Sequence, residues 1–229
     1  MTREEIIATL TDEQREQIKQ YDGIGKGQHF LGGPQLAGIK KNGVNVGWGP
    51  TQYKDIAVVQ TASDLRNWKK IVDIYKPEVF IEMGVAAGGN AIFIKDLMSK
   101  YCDNPVVIGV DIIDTDLDAK ARPHFEFIMA STVVESTINL IKERLEEHKD
   151  KRVLIHFDDH HIASHVENEL DIYSELIKTD DVIIVGDTWD EGWYESPFQA
   201  MVNFVGKNDT MRIDVETNKL MEMPCNWVF

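Results

Sequence analysis

The feature that most constrains the fold is a regular alternation of short apolar runs and amphipathic segments that begins after Thr61. Each run is rich in Val, Ile and Phe and has the length of a buried strand, and each intervening segment places its apolar residues at helical spacing. In chain order, the runs are EVFIEMGV, VVIGVDI, FEFIM, RVLIHFDD and DVIIVGDT. Buried strands that alternate with helices predict βαβ units and one doubly wound α/β domain, with a mostly parallel sheet between two helical layers.

The two ends of the chain depart from this alternation. The segments TMRIDVE and CNWVF are predicted to close the sheet as additional strands. Residues 1–21 are predicted to form a polar helix, and residues 22–50 hold nine of the sixteen glycines. Apolar residues lie among these glycines, which favours an ordered covering segment over a disordered linker. We therefore expect a helical and glycine-rich extension over residues 1–50 and the α/β domain over residues 51–229.

The charge balance narrows the range of partners. With 24 Lys and Arg against 39 Asp and Glu, the chain carries a formal net charge of −15. This charge argues against nucleic acid and against an anionic membrane, because both require positive surface. No apolar run reaches the ~20 residues of a membrane-spanning helix, and the N-terminus lacks the apolar region of a secretion signal. The two cysteines, Cys102 and Cys225, are too few for a disulfide framework, so the expected location is the cytoplasm.

The first strand end carries a glycine-rich turn. In an open parallel sheet, ligands bind at the carboxyl ends of the strands. The first run ends at Glu82 and continues through Gly84, Gly88 and Gly89 to Asn90. Glycines let a backbone turn sharply and approach a ligand closely, and the helix N-terminus that follows presents free N–H groups. A tight turn without any ligand is the alternative interpretation of the same residues.

The second and third strand ends carry polar residues that suit a nucleoside. Asp111 ends the second run, where a carboxylate can accept hydrogen bonds from ribose hydroxyls. Its alternative role is an N-cap for the next segment. Ser131 follows the third run, close to the expected adenine edge of a nucleoside bound across the sheet, or else it caps the next helix.

Ionisable residues follow the fourth and fifth strands. The run DDHH begins at Asp158, and Asp187 follows the fifth strand. Because neighbouring strands lie about 5 Å apart, these two carboxylates can share one cation, and two carboxylates with waters are typical of Mg²⁺. An acid–base pair without metal, or a helix cap beside a solvated acid, are the alternatives. His161 and His165 lack the glutamate of the HExxH motif, which disfavours zinc.

Five stretches of the chain match, in order, the motifs of one known family. Trp48-Gly49-Pro50 is similar to W-x-G-x-P, and KPEVFIEMGVAAGGNA resembles K-P-D-x-I-I-E-x-G-x-x-x-G-G-S-A. VIGVDI resembles I-x-x-I-D-I, and VIIVGDT resembles Y-x-I-V-E-D-T. DDHHIASHVENELDIYSEL resembles D-S-x-H-x-x-x-H-V-x-x-E-L-x-x-Y-x-x-L. From Trp48 onward the chain thus resembles the cephalosporin hydroxylase/rhamnosyl O-methyltransferase family of class I methyltransferases, which is also close to macrolide sugar O-methyltransferases.

The resemblance implies a Rossmann-like class I methyltransferase fold that binds S-adenosylmethionine. The implied cofactor-binding residues are Glu82, Gly84, Gly88, Gly89, Asn90, Asp111 and Ser131. The resemblance also implies Mg²⁺ held by the Asp of the D-S-x-H motif and by both acids of E-D-T. Asp158 and Asp187 match two of these metal ligands, whereas Gly186 stands at the third position. Either a water or a nearby acid (Asp159, Asp190 or Glu191) substitutes, or metal binding is weaker or lost.

The implied reaction is Mg²⁺-assisted methylation of a hydroxyl on a sugar or natural product. The candidate catalytic residues are Asp158, His160 and His161. Asp158 is implied to hold the Mg²⁺ at the acceptor oxygen, and either imidazole can take the hydroxyl proton near neutral pH. The candidates for lining the acceptor pocket are Trp189, Trp193 and Tyr194, which suit core positions equally well.

Two other functions remain open for such a sequence. A cofactor-binding accessory protein without turnover is one, and Gly186 motivates it. A hydroxylase is the other, which the sequence disfavours because it shows no 2-His-1-carboxylate or haem ligand set. The N-terminal extension and the resemblance together imply a homo-oligomer.

Overall fold

The structure, a computed structural model, describes residues 40–41, 44–45, 51–60, 62–188, 196–221 and 227–229. The predicted helix over residues 1–21 lies outside the described residues, as do most of the glycine-dense segment and the aromatic residues Trp189, Trp193 and Tyr194. The described parts of the N-terminal region form two short antiparallel ladders. Their strands are Lys40–Lys41 (β1), Val44–Asn45 (β2), Thr51–Tyr53 (β3) and Ile56–Val58 (β4). The division of the chain at residue 50 stays a prediction.

All five apolar runs form strands of one sheet, as predicted. These strands are Val79–Met83 (β5), Val106–Asp111 (β6), Glu126–Met129 (β7), Val153–Phe157 (β8) and Val182–Val185 (β9). Trp227–Val228 (β10) joins the sheet antiparallel to β9, and the other neighbours pair in parallel. The strand order is β7-β6-β5-β8-β9-β10. The chain therefore reverses direction across the sheet between β5 and β8, which is where doubly wound sheets bind their ligands.

Helices cover both faces of this sheet. They are Ala62–Tyr75 (α1), Gly89–Met98 (α2), Glu135–Glu147 (α3), Ala163–Tyr173 (α4), Pro197–Lys207 (α5) and Val215–Leu220 (α6). On one face Ile81 packs with Leu170 of α4. On the other face Phe80 packs with Trp68 of α1 and Ile94 of α2. Successive β5 residues thus enter two separate cores, as expected of a strand buried on both sides. Within the described part of the chain, no helix combines the length and the apolarity needed to cross a membrane.

The prediction of a strand at TMRIDVE is wrong. Residues 211–214 have no regular structure, and helix α6 begins at Val215. The Asp214 carboxylate accepts a hydrogen bond from the backbone N–H of Thr217 at 2.9 Å, which is an N-cap. The Tyr75 hydroxyl also donates to Asp214. Local β-branched residues favoured a strand, but the aspartate cap and its long-range partner stabilise a helix start. The other predicted closing strand is confirmed as β10.

Candidate active site

A cavity of about 580 Å³ lies at the carboxyl ends of the parallel strands. This volume falls in the range of ~300–1,000 Å³ that is common for small-molecule sites. All the predicted site residues except Gly88 line it. They are Glu82, Gly84, Gly89, Asn90, Asp111, Ser131, Asp158, His160, His161 and Asp187. The structure therefore brings together at one site residues that the sequence scatters over every strand end.

The glycines of the first turn make room for protein backbone. Gly84 has φ +87°, and a Cβ there would lie 2.2 Å from the carbonyl oxygen of Asp158. Gly88 has φ +83°, and its Cβ would meet Ala121 at 2.8 Å, so Gly88 faces the protein and not the cavity. A Cβ on Gly89 would lie 2.2 Å from the carbonyl oxygen of Ala57. The turn is thus fitted against the segments after β8 and around β4, both of which line the cavity.

Asp111 fastens this turn. Its Oδ2 accepts hydrogen bonds from the backbone N–H groups of Val85 at 2.9 Å and Ala86 at 3.1 Å. Its Oδ1 accepts from the N–H of Ile113 at 3.2 Å. A carboxylate has about four acceptor sites, so acceptor capacity remains on the side that lines the cavity. The sequence located this residue correctly, but the three backbone contacts came only from the structure.

Glu82 is almost fully buried, with 1% of its surface exposed. Its Oε1 accepts a hydrogen bond from Asn90 Nδ2 at 2.5 Å, whereas Oε2 has no hydrogen-bond partner among the described residues. Burial raises the pKa of Glu82 to about 8, the Asn90 hydrogen bond opposes this, and the charge of Asp111 adds to it. His156, also buried, lies 3.8 Å from Oε1, and burial lowers the pKa of its imidazole. Glu82 is therefore an acceptor on the cavity wall that holds its proton unless a cationic group approaches.

Asp158, His161 and Asp187 form a compact group on the same cavity. His161 Nε2 lies 3.4 Å from Asp158 Oδ1 and 3.4 Å from Asp187 Oδ2. Gln60 Nε2 donates to the other oxygen of Asp158 at 2.6 Å. Burial raises the pKa of Asp158, and Asp187 adds to the rise while His161 opposes it. The hydrogen bond to Asp158 in turn raises the pKa of His161. Gln60 was missed from the sequence, because a single polar residue 98 positions away gives no local signal.

Gly186 has no side chain that could ligate a cation, but the group of Asp158 and Asp187 includes a third candidate donor, His161. A Cβ on Gly186 would lie 2.9 Å from Asp158 Oδ1 and 2.9 Å from the carbonyl oxygen of Phe157. The imidazole of His161 instead completes the set, and one ligand atom from each of Asp158, His161 and Asp187 lies within 4.8 Å of the others. Two carboxylates and an imidazole are a suitable donor set for a divalent cation. Of the three acids predicted as substitute ligands, Asp159 contacts His165 and Thr132, whereas Asp190 and Glu191 lie outside the described residues.

A second polar cluster, which sequence reasoning missed, lies beside this group. His165 Nε2 is 3.1 Å from Asp159 Oδ2, 3.2 Å from Thr132 Oγ1 and 3.6 Å from Glu169 Oε1. Thr132, Asp159 and His165 line the cavity, whereas Glu169 is fully buried. The spacing of His165 and Glu169, four residues apart on α4, places them on one helix face and is the signal that could have found them.

Comparisons with known proteins give the relatives of this chain. The sequence model of the rhamnosyl O-methyltransferase/CmcI family matches residues 46–226. A rhamnosyl O-methyltransferase from Mycobacterium leprae (strain TN) is 28% identical over 145 residues, which cover 63% of this chain and 63% of that protein. The rhamnosyl O-methyltransferase from Mycobacterium tuberculosis (strain ATCC 25618 / H37Rv) is 27% identical over 146 residues, or 63% of this chain and 59% of that protein. The chain therefore spans less than two thirds of the length of these curated relatives.

A solved structure gives the same picture of the fold. CmcI with Mg and SAM superposes with a TM-score of 0.59 at 15% sequence identity, over 78% of this chain and 75% of the CmcI chain. Together with the strand order, this likeness confirms the predicted Rossmann-like fold of class I methyltransferases.

Proposed function

This chain belongs to the rhamnosyl O-methyltransferase/CmcI family, and from that premise we propose that it is an S-adenosylmethionine-dependent O-methyltransferase. Its acceptor is a hydroxyl of a sugar or natural product. One observation carries the proposal: the acid that suits a ribose, Asp111, and the cation-binding group of Asp158, His161 and Asp187 line one continuous cavity. Cofactor and acceptor oxygen can therefore occupy neighbouring positions, which methyl transfer requires.

The cofactor half of the cavity is formed by β5, β6 and the segments after them. The free acceptor capacity of Asp111 suits the ribose hydroxyls, and Ser131 lies at the adenine edge. Ile112 and Ile113 line the cavity although 70% and 47% of their surface is exposed, so they offer an apolar face to the adenine ring. The unpartnered Oε2 of Glu82 suits a positive group. S-adenosylmethionine carries a sulfonium and an ammonium, and both favour a wall of carboxylates.

The acceptor half is formed by the segments after β8 and β9. Asp158 and Asp187, with His161 as third donor, would hold a divalent cation such as Mg²⁺. When bound, such an ion supplies positive charge that lowers the pKa of a hydroxyl. His160 lines the same cavity, and its ring meets that of His165 edge to face at a centroid distance of 5.2 Å. With His161 among the cation donors, His160 accepts the hydroxyl proton. The remaining requirement is alignment of the oxygen with the sulfonium methyl, which the cavity walls impose.

The test is calorimetric titration of S-adenosylmethionine into the full chain, followed by a methyl-transfer screen. The screen uses rhamnosides and nucleotide-activated rhamnose, with Mg²⁺ or with EDTA. We expect saturable cofactor binding and a turnover that EDTA abolishes. Asp187→Ala should lose turnover and keep cofactor affinity, whereas Asp180→Ala, at an exposed position, should change neither. Absence of cofactor binding would refute the methyltransferase assignment.

A second candidate is a cofactor-binding accessory protein, which Gly186 favours because the family carries a metal ligand at that position. This candidate predicts normal cofactor affinity without turnover on any acceptor or cation. The same two measurements therefore separate an active enzyme from an accessory protein.

A further inference from the structure

We propose that Asp159, His165 and Glu169, with the hydroxyl of Thr132, form a second divalent-cation site, separate from Asp158, His161 and Asp187. Its donor atoms belong to the segment after β7, the segment after β8 and helix α4. A cation held there would join these three segments into one unit.

The spacing of the donor atoms is that of a coordination shell. His165 Nε2 lies 3.1 Å from Asp159 Oδ2, 3.2 Å from Thr132 Oγ1 and 3.6 Å from Glu169 Oε1. Thr132 Oγ1 lies 3.2 Å from the same Asp159 oxygen. Ligands about 2.1 Å from a metal stand roughly 3.0–3.4 Å from their neighbours in octahedral and tetrahedral shells. The side chains thus need little rearrangement to bind an ion, and one ligand atom from each of the three ionisable residues lies within 4.8 Å of the others.

The cluster has more acceptors than donors. Glu169 is fully buried, and neither of its carboxylate oxygens has a hydrogen-bond partner in the described structure. Asp159 Oδ1 is also buried without a partner. The four side chains contribute only the His165 N–H and the Thr132 hydroxyl as donors to four carboxylate oxygens. Buried carboxylates that lack partners are costly, and a divalent cation supplies both the missing charge and the missing contacts.

Among the described residues, the carboxylates of this cluster are not neutralised by a lysine or an arginine. The ion pairs found for Asp159 and Glu169 among these residues involve His165.

The location gives the ion access and a role. Thr132, Asp159 and His165 line the cavity, so an ion can enter from it. Tyr173 donates a hydrogen bond to the carbonyl oxygen of Thr132 at 2.6 Å and so ties α4 to the same segment. Asp159 is adjacent to Asp158, so an ion there would restrain the backbone that carries the first cation site. The imidazole suits Co²⁺ or Zn²⁺, and the carboxylate and hydroxyl oxygens suit Mn²⁺.

The experiment counts Mn²⁺ equivalents bound by the metal-stripped full chain, using isothermal titration calorimetry. We expect two equivalents for the unchanged protein. We expect Asp187→Asn to remove one of these equivalents. The double variant Asp187→Asn/Glu169→Gln should lose the other equivalent as well, and with it the rise in melting temperature that Mn²⁺ causes. Asp159→Asn in the same background should give the same loss.

A melting curve recorded in EDTA shows whether a variant loses Mn²⁺ binding only because it is misfolded. Glu169→Gln should melt at or above the temperature of the unchanged protein, because it removes an unpartnered buried carboxyl and adds a donor. The proposal is overturned if the Asp187→Asn variant binds no Mn²⁺, or if both the Glu169→Gln and the Asp159→Asn substitutions in that background leave its Mn²⁺ binding unchanged.

Discussion

Glu82→Gln should make the protein more stable at alkaline pH and weaken its cofactor binding. Glu82 is 1% exposed, one of its oxygens has no partner among the described residues, and burial raises its pKa from 4.5 to about 8. The folded protein then binds this proton more tightly than the unfolded chain does. Its contribution to stability is complete below pH 4.5 and is lost as the pH rises through about 8.

The size of the effect follows from the pKa difference. At 1.36 kcal/mol per pKa unit, the free energy of unfolding falls by about 4 kcal/mol between pH 5 and pH 9 from this group alone. Glutamine keeps the carbonyl that accepts from Asn90 Nδ2 and adds an N–H₂ group. The Oδ1 of Asn90, which is buried without a hydrogen-bond partner, can accept from it. The variant should therefore lack the alkaline loss of stability.

The assay is urea unfolding at several pH values between 5 and 9. The stability gap between Glu82→Gln and the unchanged protein should widen with pH by up to about 4 kcal/mol. Glu143→Gln, at an exposed position of α3, is the matched control and should show a constant gap. Because other titrating groups cancel in the difference, a gap that stays constant for Glu82→Gln would refute the assignment of a buried, protonated Glu82.

Three further predictions concern the turn at Gly84, the carboxylate of Asp111 and the imidazole of His160. Gly84→Ala should cost about 3 kcal/mol or more in urea unfolding, because its Cβ meets the Asp158 backbone at φ +87°, whereas Gly206→Ala on α5 should stabilise slightly. Asp111→Asn should raise the calorimetric Kd for S-adenosylmethionine roughly tenfold, since an amide nitrogen cannot accept the N–H bonds that fix the turn; an unchanged Kd would contradict this. His160→Gln should lower the rate of methyl transfer about a hundredfold and leave cofactor affinity unchanged, and an unaltered rate would exclude it as the proton acceptor.

The fold could be predicted from the sequence because its determinants are local. Each buried strand is a continuous apolar run, and a parallel sheet requires only that such runs alternate with helices. The failure at residues 211–214 has the opposite cause. There the helix start depends on the Asp214 cap and on Tyr75, which lies 139 positions away. A local pattern of β-branched residues contains no information about that contact.

The candidate site likewise has positions that the sequence predicts and side-chain contacts that it does not. Strand ends are predictable, so the positions of Asp111, Asp158 and Asp187 around one cavity followed from the sequence. Side-chain partners are not, because they depend on how loops from distant segments meet. His161, predicted as a candidate base, lies between the carboxylates of Asp158 and Asp187, and the sequence did not reveal these contacts.

Asp158 and Asp159 show how a single step along the chain separates two chemical environments. The strand β8 ends at Phe157, and the chain bends at Asp159. Asp158 contacts Gln60 and His161, whereas Asp159 contacts Thr132 and His165. The first environment is the group that we propose holds a cation, and the second joins the segment after β7 to α4. A substitution at one of these adjacent aspartates should consequently affect one cation equivalent and not the other.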